Sequence, residues 1–156
     1  MSKGLFMSFS FKEPTLIKGG LAVDDRGSLM FANEFHFEGV KRFYVIENHQ
    51  PQFVRAWHGH KKEAKYFIPI KGSFIVGAVP VDNWDHPNKE LLPFRITLSE
   101  HSPQILAIPP GYANGLMNLT PGAKLLVLST STLDESKGDD FRYPGRYWDI
   151  WKIEER

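Results

Sequence analysis

Short segments rich in β-branched and aromatic residues, set apart by glycines and prolines, run through most of the chain. RFYVIEN, FVRAWHGH, AKYFIPI, SFIVGAVPV, PFRITL, QILAIP, GLMNL and KLLVLSTST are each about one strand long, and turn residues recur at roughly 8–12-residue intervals. Punctuation that frequent leaves no room for the long amphipathic helices of a bundle, and it predicts an all-β sandwich or barrel. Pro69 and Pro80 fall inside two of these segments. Proline donates no ladder hydrogen bond, so each marks an edge strand or a bulge. One weak helix is predicted, from Leu133 to Asp139. The last stretch, DDFRYPGRYWDIWKIEER, reads as a tail that lays its aromatics on the body or on a partner subunit. With no internal repeat and no low-complexity linker, residues 1–156 are expected to form one domain, with a core over about 24–132 and the tail over 133–156.

Composition narrows the partners. Cysteine is absent, which removes disulfides, zinc ribbons, iron–sulfur clusters and thiol nucleophiles together and fits a reducing compartment. Lys+Arg number 19 against 18 Asp+Glu, a net charge of +1 with no basic block. A duplex-DNA binder concentrates its cations on one face, so nucleic acid is not an expected partner. An anionic ligand would have to be met by a few placed cations. No apolar run approaches the roughly 20 residues needed to cross a bilayer. MSKGLFMSFSFKEPTL has neither a sustained apolar core nor a small-residue cleavage site. The expectation is a cytoplasmic protein that does not engage a membrane.

The densest chemistry lies in Arg55-Ala-Trp-His58-Gly-His60-Lys61-Lys-Glu63-Ala-Lys65. Histidines two apart on a strand point to the same face, so His58 and His60 can converge on one pocket while Trp57 faces the other way. Metal-binding cupins read His-x-His, three or four residues, Glu, six residues, Gly. Here the spacing from His60 to position 65 and on to Gly72 is kept, but position 65 is a lysine. Their second pattern, Pro-x-Gly, two residues, His, three residues, Asn, is kept by Pro109, Gly111 and Asn118, with Asn114 in the histidine's place. The chain thus resembles the cupin superfamily, which implies a double-stranded β-helix, or jelly-roll barrel. A lysine ammonium has no lone pair to ligate a cation. With two of the four usual ligands replaced, no metal is expected. Arg55 and Lys65 beside two imidazoles suit an anionic or enolate-forming ligand instead.

Within that superfamily the chain resembles the RmlC-like nucleotide-sugar enzymes, the dTDP-4-dehydrorhamnose 3,5-epimerases and the WxcM-like dTDP-4-keto-6-deoxyhexose 3,4-ketoisomerases. Asp25-Arg26-Gly27, Arg55-x-x-His58, Lys65 and LSEHSPQILAIPPGYANGLMNL are similar to epimerase motifs. Arg55-x-x-His58-Gly-His60-Lys61, VKRFYVIE and LLVLSTSTLDESKGDDFR are similar to the ketoisomerases. The epimerases' Tyr acid has no equivalent on KLLVLSTST. The resemblance implies an isomerase that opens by removing the C3 proton beside a C4 ketone, without metal or other cofactor, in a homodimer.

In that scheme His58 is the base at C3, since a neutral imidazole can take a proton made acidic by an adjacent carbonyl. His60 returns a proton in place of the missing Tyr, and Lys65 steadies the enolate. Arg26 and Arg55 contact the diphosphate, because guanidinium forks match phosphate oxygens. Tyr44 offers a phenol near the sugar, and Asn48 and Asn114 bond sugar hydroxyls or the nucleotide. Each also has a plainer role open to it, as a core histidine, a solvated lysine or an ion-paired arginine. His36, His49, His86 and His101 read as surface residues, and Asp139-Asp140 as a solvated turn. Two alternatives stand beside the isomerase. One is a cupin that binds a sugar nucleotide without turning it over, and the other is a metal-dependent cupin.

Overall fold

The structure is a computed structural model that describes residues 9–156; residues 1–8, on which part of the expectation of no signal peptide rests, lie outside the described residues. Twelve strands and one short helix follow in order. They are β1 (Thr15–Lys18), β2 (Gly20–Asp24), β3 (Gly27–Phe31), β4 (Arg42–Ile46), β5 (Val54–His60), β6 (Lys65–Lys71), β7 (Ser73–Pro80), β8 (Phe94–Ser99), β9 (Gln104–Ile108), β10 (Tyr112–Asn118), β11 (Lys124–Ser129), α1 (Leu133–Lys137) and β12 (Phe141–Arg142). One five-stranded sheet runs β1-β9-β6-β11-β4, the other runs β12-β5-β10-β7-β8, and β2-β3 forms a separate hairpin. Successive strands mostly cross from one sheet to the other and all pairs are antiparallel, the jelly-roll arrangement that the spacing and the cupin motifs predict.

Apolar side chains from both sheets fill the space between them. Phe67, Phe74, Val76, Leu98, Leu106, Leu125 and Val127 are all essentially inaccessible to solvent. The outer faces are covered as well. Phe9, Phe11, Phe35 and Val40 pack over Tyr66, Ile105, Ala107 and Leu128 on the first sheet. On the second sheet Trp148, Trp151, Tyr147 and Ile150 pack over Trp57, Ile75, Val79, Ala113 and Met117. This two-sided burial explains why SFIVGAVP reads as a continuous apolar run instead of alternating.

Two glycines make room for Trp57 and for the C-terminal segment that covers it. A Cβ at Gly77 would lie 2.5 Å from Ile150 Cδ1 and 2.6 Å from Trp57. One at Gly115 would lie 2.4 Å from the Ala56 Cβ and 3.1 Å from Trp151.

The local signals hold with instructive exceptions. Pro69 sits in β6, a central strand, beside a shift of register in which Lys71 and Pro69 pair with the successive residues Lys124 and Leu125. Ile70 is thus the extra residue of a bulge. On the other side β9 pairs with β6 only over Lys65–Phe67, so no ladder bond is asked of Pro69 there. The weak helix exists because Thr132 caps it. The Thr132 hydroxyl accepts from the Glu135 N–H at 3.2 Å, and the Glu135 carboxylate accepts from the Thr132 N–H at 2.9 Å, a capping box. β1, the β2–β3 hairpin and the first half of β10 lie outside the segments that composition alone marks as strands.

Candidate active site

Between the sheets, where β4 and β12 form the free edges on one side, lies a cavity of about 480 Å³, in the range of small-molecule sites. β4 supplies Arg42 and Tyr44, β5 supplies Arg55, His58 and His60, and β6 supplies Lys65 and Phe67. β10 adds Asn114 and Leu116, while the α1–β12 segment adds Ser136, Asp140 and Arg142. Four cationic residues therefore line it against two acids, Glu47 and Asp140.

Simple alternation along β5 cannot put Arg55 on the same face as His58. The ladder with β10 shows how it gets there. His58 pairs with Asn114, but Ala56 pairs with the very next residue, Gly115, so Trp57 is the extra residue of a β-bulge. A bulge shifts the side-chain phase by one. Arg55, His58 and His60 then share the cavity, while Trp57 is turned into the aromatic cluster on the outer face. Behind Arg55, the Asn48 carboxamide oxygen accepts from the guanidinium Nε at 2.7 Å, and its amide donates to Asn118 at 2.9 Å and to the Phe53 carbonyl at 3.2 Å.

His60 is buried and held through one ring nitrogen. Its Nδ1 lies 2.5 Å from the Asp139 carbonyl oxygen, which can only accept, so the proton sits on Nδ1 and the lone pair on Nε2. That Nε2 is buried and has no partner. Asp139 is placed by its own carboxylate, which accepts from the backbone N–H groups of Lys61, Lys62 and Glu63 at 2.7, 2.8 and 3.0 Å. Asp139 is buried, so it is not the solvated turn residue that its polar context predicts. Glu63, fully buried, places Oε1 3.6 Å from His60 Nδ1, and its Oε2 accepts from the Ser129 hydroxyl at 2.6 Å. The Arg42 guanidinium lies 3.7 Å from that Oε2.

Burial, then the positive charges of Lys65 and Arg142, lower His58 from its usual range to about 4. Burial and Lys65 lower His60 too, with Glu63 and the Asp139 carbonyl opposing. Both imidazoles are therefore neutral near pH 7. Lys65, itself buried, holds Nζ 5.8 Å from the Tyr44 ring centroid, and Arg42 lies 5.2 Å from the same ring, so the phenol is flanked by two cations.

Six sequence-predicted residues, His58, His60, Lys65, Arg55, Tyr44 and Asn114, meet in this cavity. Two do not. Asn48 lies behind Arg55 with its amide engaged. Arg26 stands at the turn of the β2–β3 hairpin, outside the cavity lining, 2.6 Å from Asp24 and with its side chain 87% exposed. Arg42, Glu63 and Arg142 were given no role by the sequence, and Asp139 and Asp140 were read only as a solvated turn. Arg42 was within the sequence's reach, since strand parity puts Arg42 on the face of Tyr44. The rest depend on chain reversals that no periodicity reveals. Among the described residues no group of three or more His, Asp or Glu is arranged to hold a metal ion, and no helix is long and apolar enough to cross a membrane.

The model of the family described as WxcM-like, C-terminal (FdtA) matches residues 12–143. A variant of the 3,4-ketoisomerase QdtA from Thermoanaerobacterium thermosaccharolyticum, in complex with TDP-4-keto-6-deoxyglucose, superposes with a TM-score of 0.66 at 26% identity, over 88% of this chain and 92% of that one. The TDP-quinovose 3,4-ketoisomerase WlaRB from Campylobacter jejuni gives 0.65 at 26% identity, over 88% and 98%. The rmlC epimerase of Mycobacterium tuberculosis gives 0.67 at 15% identity, over 86% and 70%, a likeness of fold. No curated protein matches the chain by sequence.

Proposed function

Because this chain belongs to the WxcM-like, C-terminal family, we propose that it is an isomerase of a TDP-linked 4-keto-6-deoxyhexose, acting as a 3,4-ketoisomerase. The observation that carries this reading is the pair of neutral imidazoles, His58 and His60, on one face of a cation-lined cavity.

The C3 proton is acidic because the adjacent C4 carbonyl takes up the electron pair as an enediolate. His58 removes it. Lys65 faces the developing negative charge, which a fixed cation in a dry site stabilises far more than water does. A neutral His60 with its lone pair on Nε2 starts as a proton acceptor, not as the donor the sequence reading made it. It takes the C3 hydroxyl proton and passes it to the C4 oxygen, while the proton on His58 returns to carbon C4. C3 becomes the ketone and C4 the alcohol, and the step balances internally without an external oxidant. Arg55, braced by Asn48, serves the diphosphate, and Tyr44 and Asn114 serve the sugar.

The exposed β2–β3 hairpin supports a homodimer in which Arg26 serves the neighbouring subunit's cavity. The lack of cysteine supports a reducing, cytoplasmic setting.

The test is NMR of dTDP-4-keto-6-deoxyglucose incubated with the protein in heavy water. The expected result is a 3-keto product with loss of the C3 proton signal, at a rate that falls roughly 10²- to 10⁴-fold in His58→Ala, the usual worth of a general base. Exchange at both C3 and C5 without a 3-keto product would identify a 3,5-epimerase. Turnover no faster than in the variant would sink the isomerase reading and leave a protein that binds a sugar nucleotide.

A further inference from the structure

We propose that Glu63 is the positioning residue of His60, a buried carboxylate kept to receive the positive charge that appears on that imidazole when Nε2 takes a proton. The proposal rests on the isomerase reading for its chemistry, but its geometry stands apart. Among the described residues three buried side-chain polar atoms lack a partner, and two of them are His60 Nε2 and Glu63 Oε1. They sit on either side of one imidazole: Nε2 is its free ring nitrogen, and Oε1 lies 3.6 Å from Nδ1. At that distance Oε1 makes no hydrogen bond, so the interaction is one of charge.

An unpaired carboxylate oxygen with no solvent exposure costs stability in the resting protein. The Arg42 guanidinium, 3.7 Å from Oε2, offsets part of that cost, but Oε1 gains a partner only when a cation stands on its own side. The imidazolium formed on proton uptake by His60 is that cation. The Ser129 hydroxyl and the Arg42 guanidinium hold Oε2 and so aim Oε1 at the ring, while the Asp139 carbonyl keeps the proton on Nδ1. Proton uptake at Nε2 is thereby favoured without turning the ring.

The other charged and titratable groups that line the cavity with His60 are Lys65 from β6, His58 and Arg55 on its own strand, Arg42, Tyr44 and Glu47 from β4 and its end, and Asp140 and Arg142 from the segment that ends in β12, while Asp139 approaches from behind the ring. Lys65 opposes the charge and Asp139 supports it.

The test starts with the protein alone. Nitrogen-15 NMR of the His60 ring, assigned by its loss in His60→Asn, is expected to show the neutral ring protonated on Nδ1 in the unmodified protein. In Glu63→Gln the protonation midpoint of His60 is expected to move to lower pH. With dTDP-4-keto-6-deoxyglucose, kcat should fall about 10- to 100-fold, part of the usual worth of an acid–base group, with KM nearly unchanged. A resting proton on Nε2 would overturn the proposal before any variant is made. So would a folded Glu63→Gln or Glu63→Leu protein whose His60 titrates and turns over as in the parent. A shifted midpoint with no turnover in either protein would keep the pair and remove the isomerase reading.

Discussion

A histidine that folding makes hard to protonate leaves a mark on the pH dependence of stability. His58 is pushed down to about 4 by burial and by Lys65 and Arg142. Well above pH 6.5 the ring is neutral whether the chain is folded or not. As pH falls from there toward 4, the unfolded chain takes up a proton that the folded chain refuses, so stability is lost across that window. The lowered His60 adds to the loss in the same direction. We expect the thermal midpoint to drop between pH 7 and pH 4.5, and to drop less in His58→Asn; parallel curves would refute the assignment. Sequence parity was enough to bring His58 and His60 to one face. It failed for Arg55, whose phase is corrected by a one-residue bulge at Trp57, a feature set by pairing with β10 and not by composition. It failed again for Glu63, which reaches His60 only because the chain turns between β5 and β6.

At the scale of elements, the short stretch after α1 organises more than its length implies. The Asp139 carboxylate satisfies three N–H groups in the turn between β5 and β6, and the same residue's carbonyl fixes His60. Removing this acceptor strands the N–H of the buried Glu63, while the N–H groups of Lys61 and Lys62 belong to exposed residues that water can reach. We expect Asp139→Ala to lose about 2 kcal/mol of unfolding free energy in denaturant titration, given ~1–3 kcal/mol for the one donor stranded away from water. Asp139→Asn should lose less, because one carboxamide oxygen still accepts. A loss below about 1 kcal/mol for the alanine variant would mean that the turn holds itself. α1 read only as a weak stretch from Leu133 to Asp139; the Thr132–Glu135 capping box that secures it, at a spacing present in the sequence, is what the structure adds. The first three strands were not legible, since a run such as GLAVDDRGSLMF carries only weak alternation and its exposed faces form no core within this chain.

For the molecule as a whole, the repeated turn signals and the two cupin motifs make the jelly roll legible in the sequence, because β spacing and motif order are properties of the backbone plan. What they could not announce is how the outside is finished. Leu21, Val23, Leu29 and Phe31 of the hairpin, with Phe43 and Val45 of β4, leave large side chains open to solvent. Apolar surface of this extent is uncommon on a monomer. We expect sedimentation equilibrium to give twice the 17.9 kDa of one chain, and Val23→Lys combined with Leu29→Lys to shift it toward one. A monomer at every concentration of the unmodified protein would refute the homodimer. The second sheet is finished from within. Trp148 and Trp151 lie 5.4 and 5.3 Å from the Trp57 ring, on the reverse of the strand that carries His58 and His60. The protein therefore contains its own optical reporter: an indole one residue from the proposed base, in a dry cluster of two more. Any ligand that moves β5 changes the emission of that cluster, so occupancy of the cavity can be followed by light without a label.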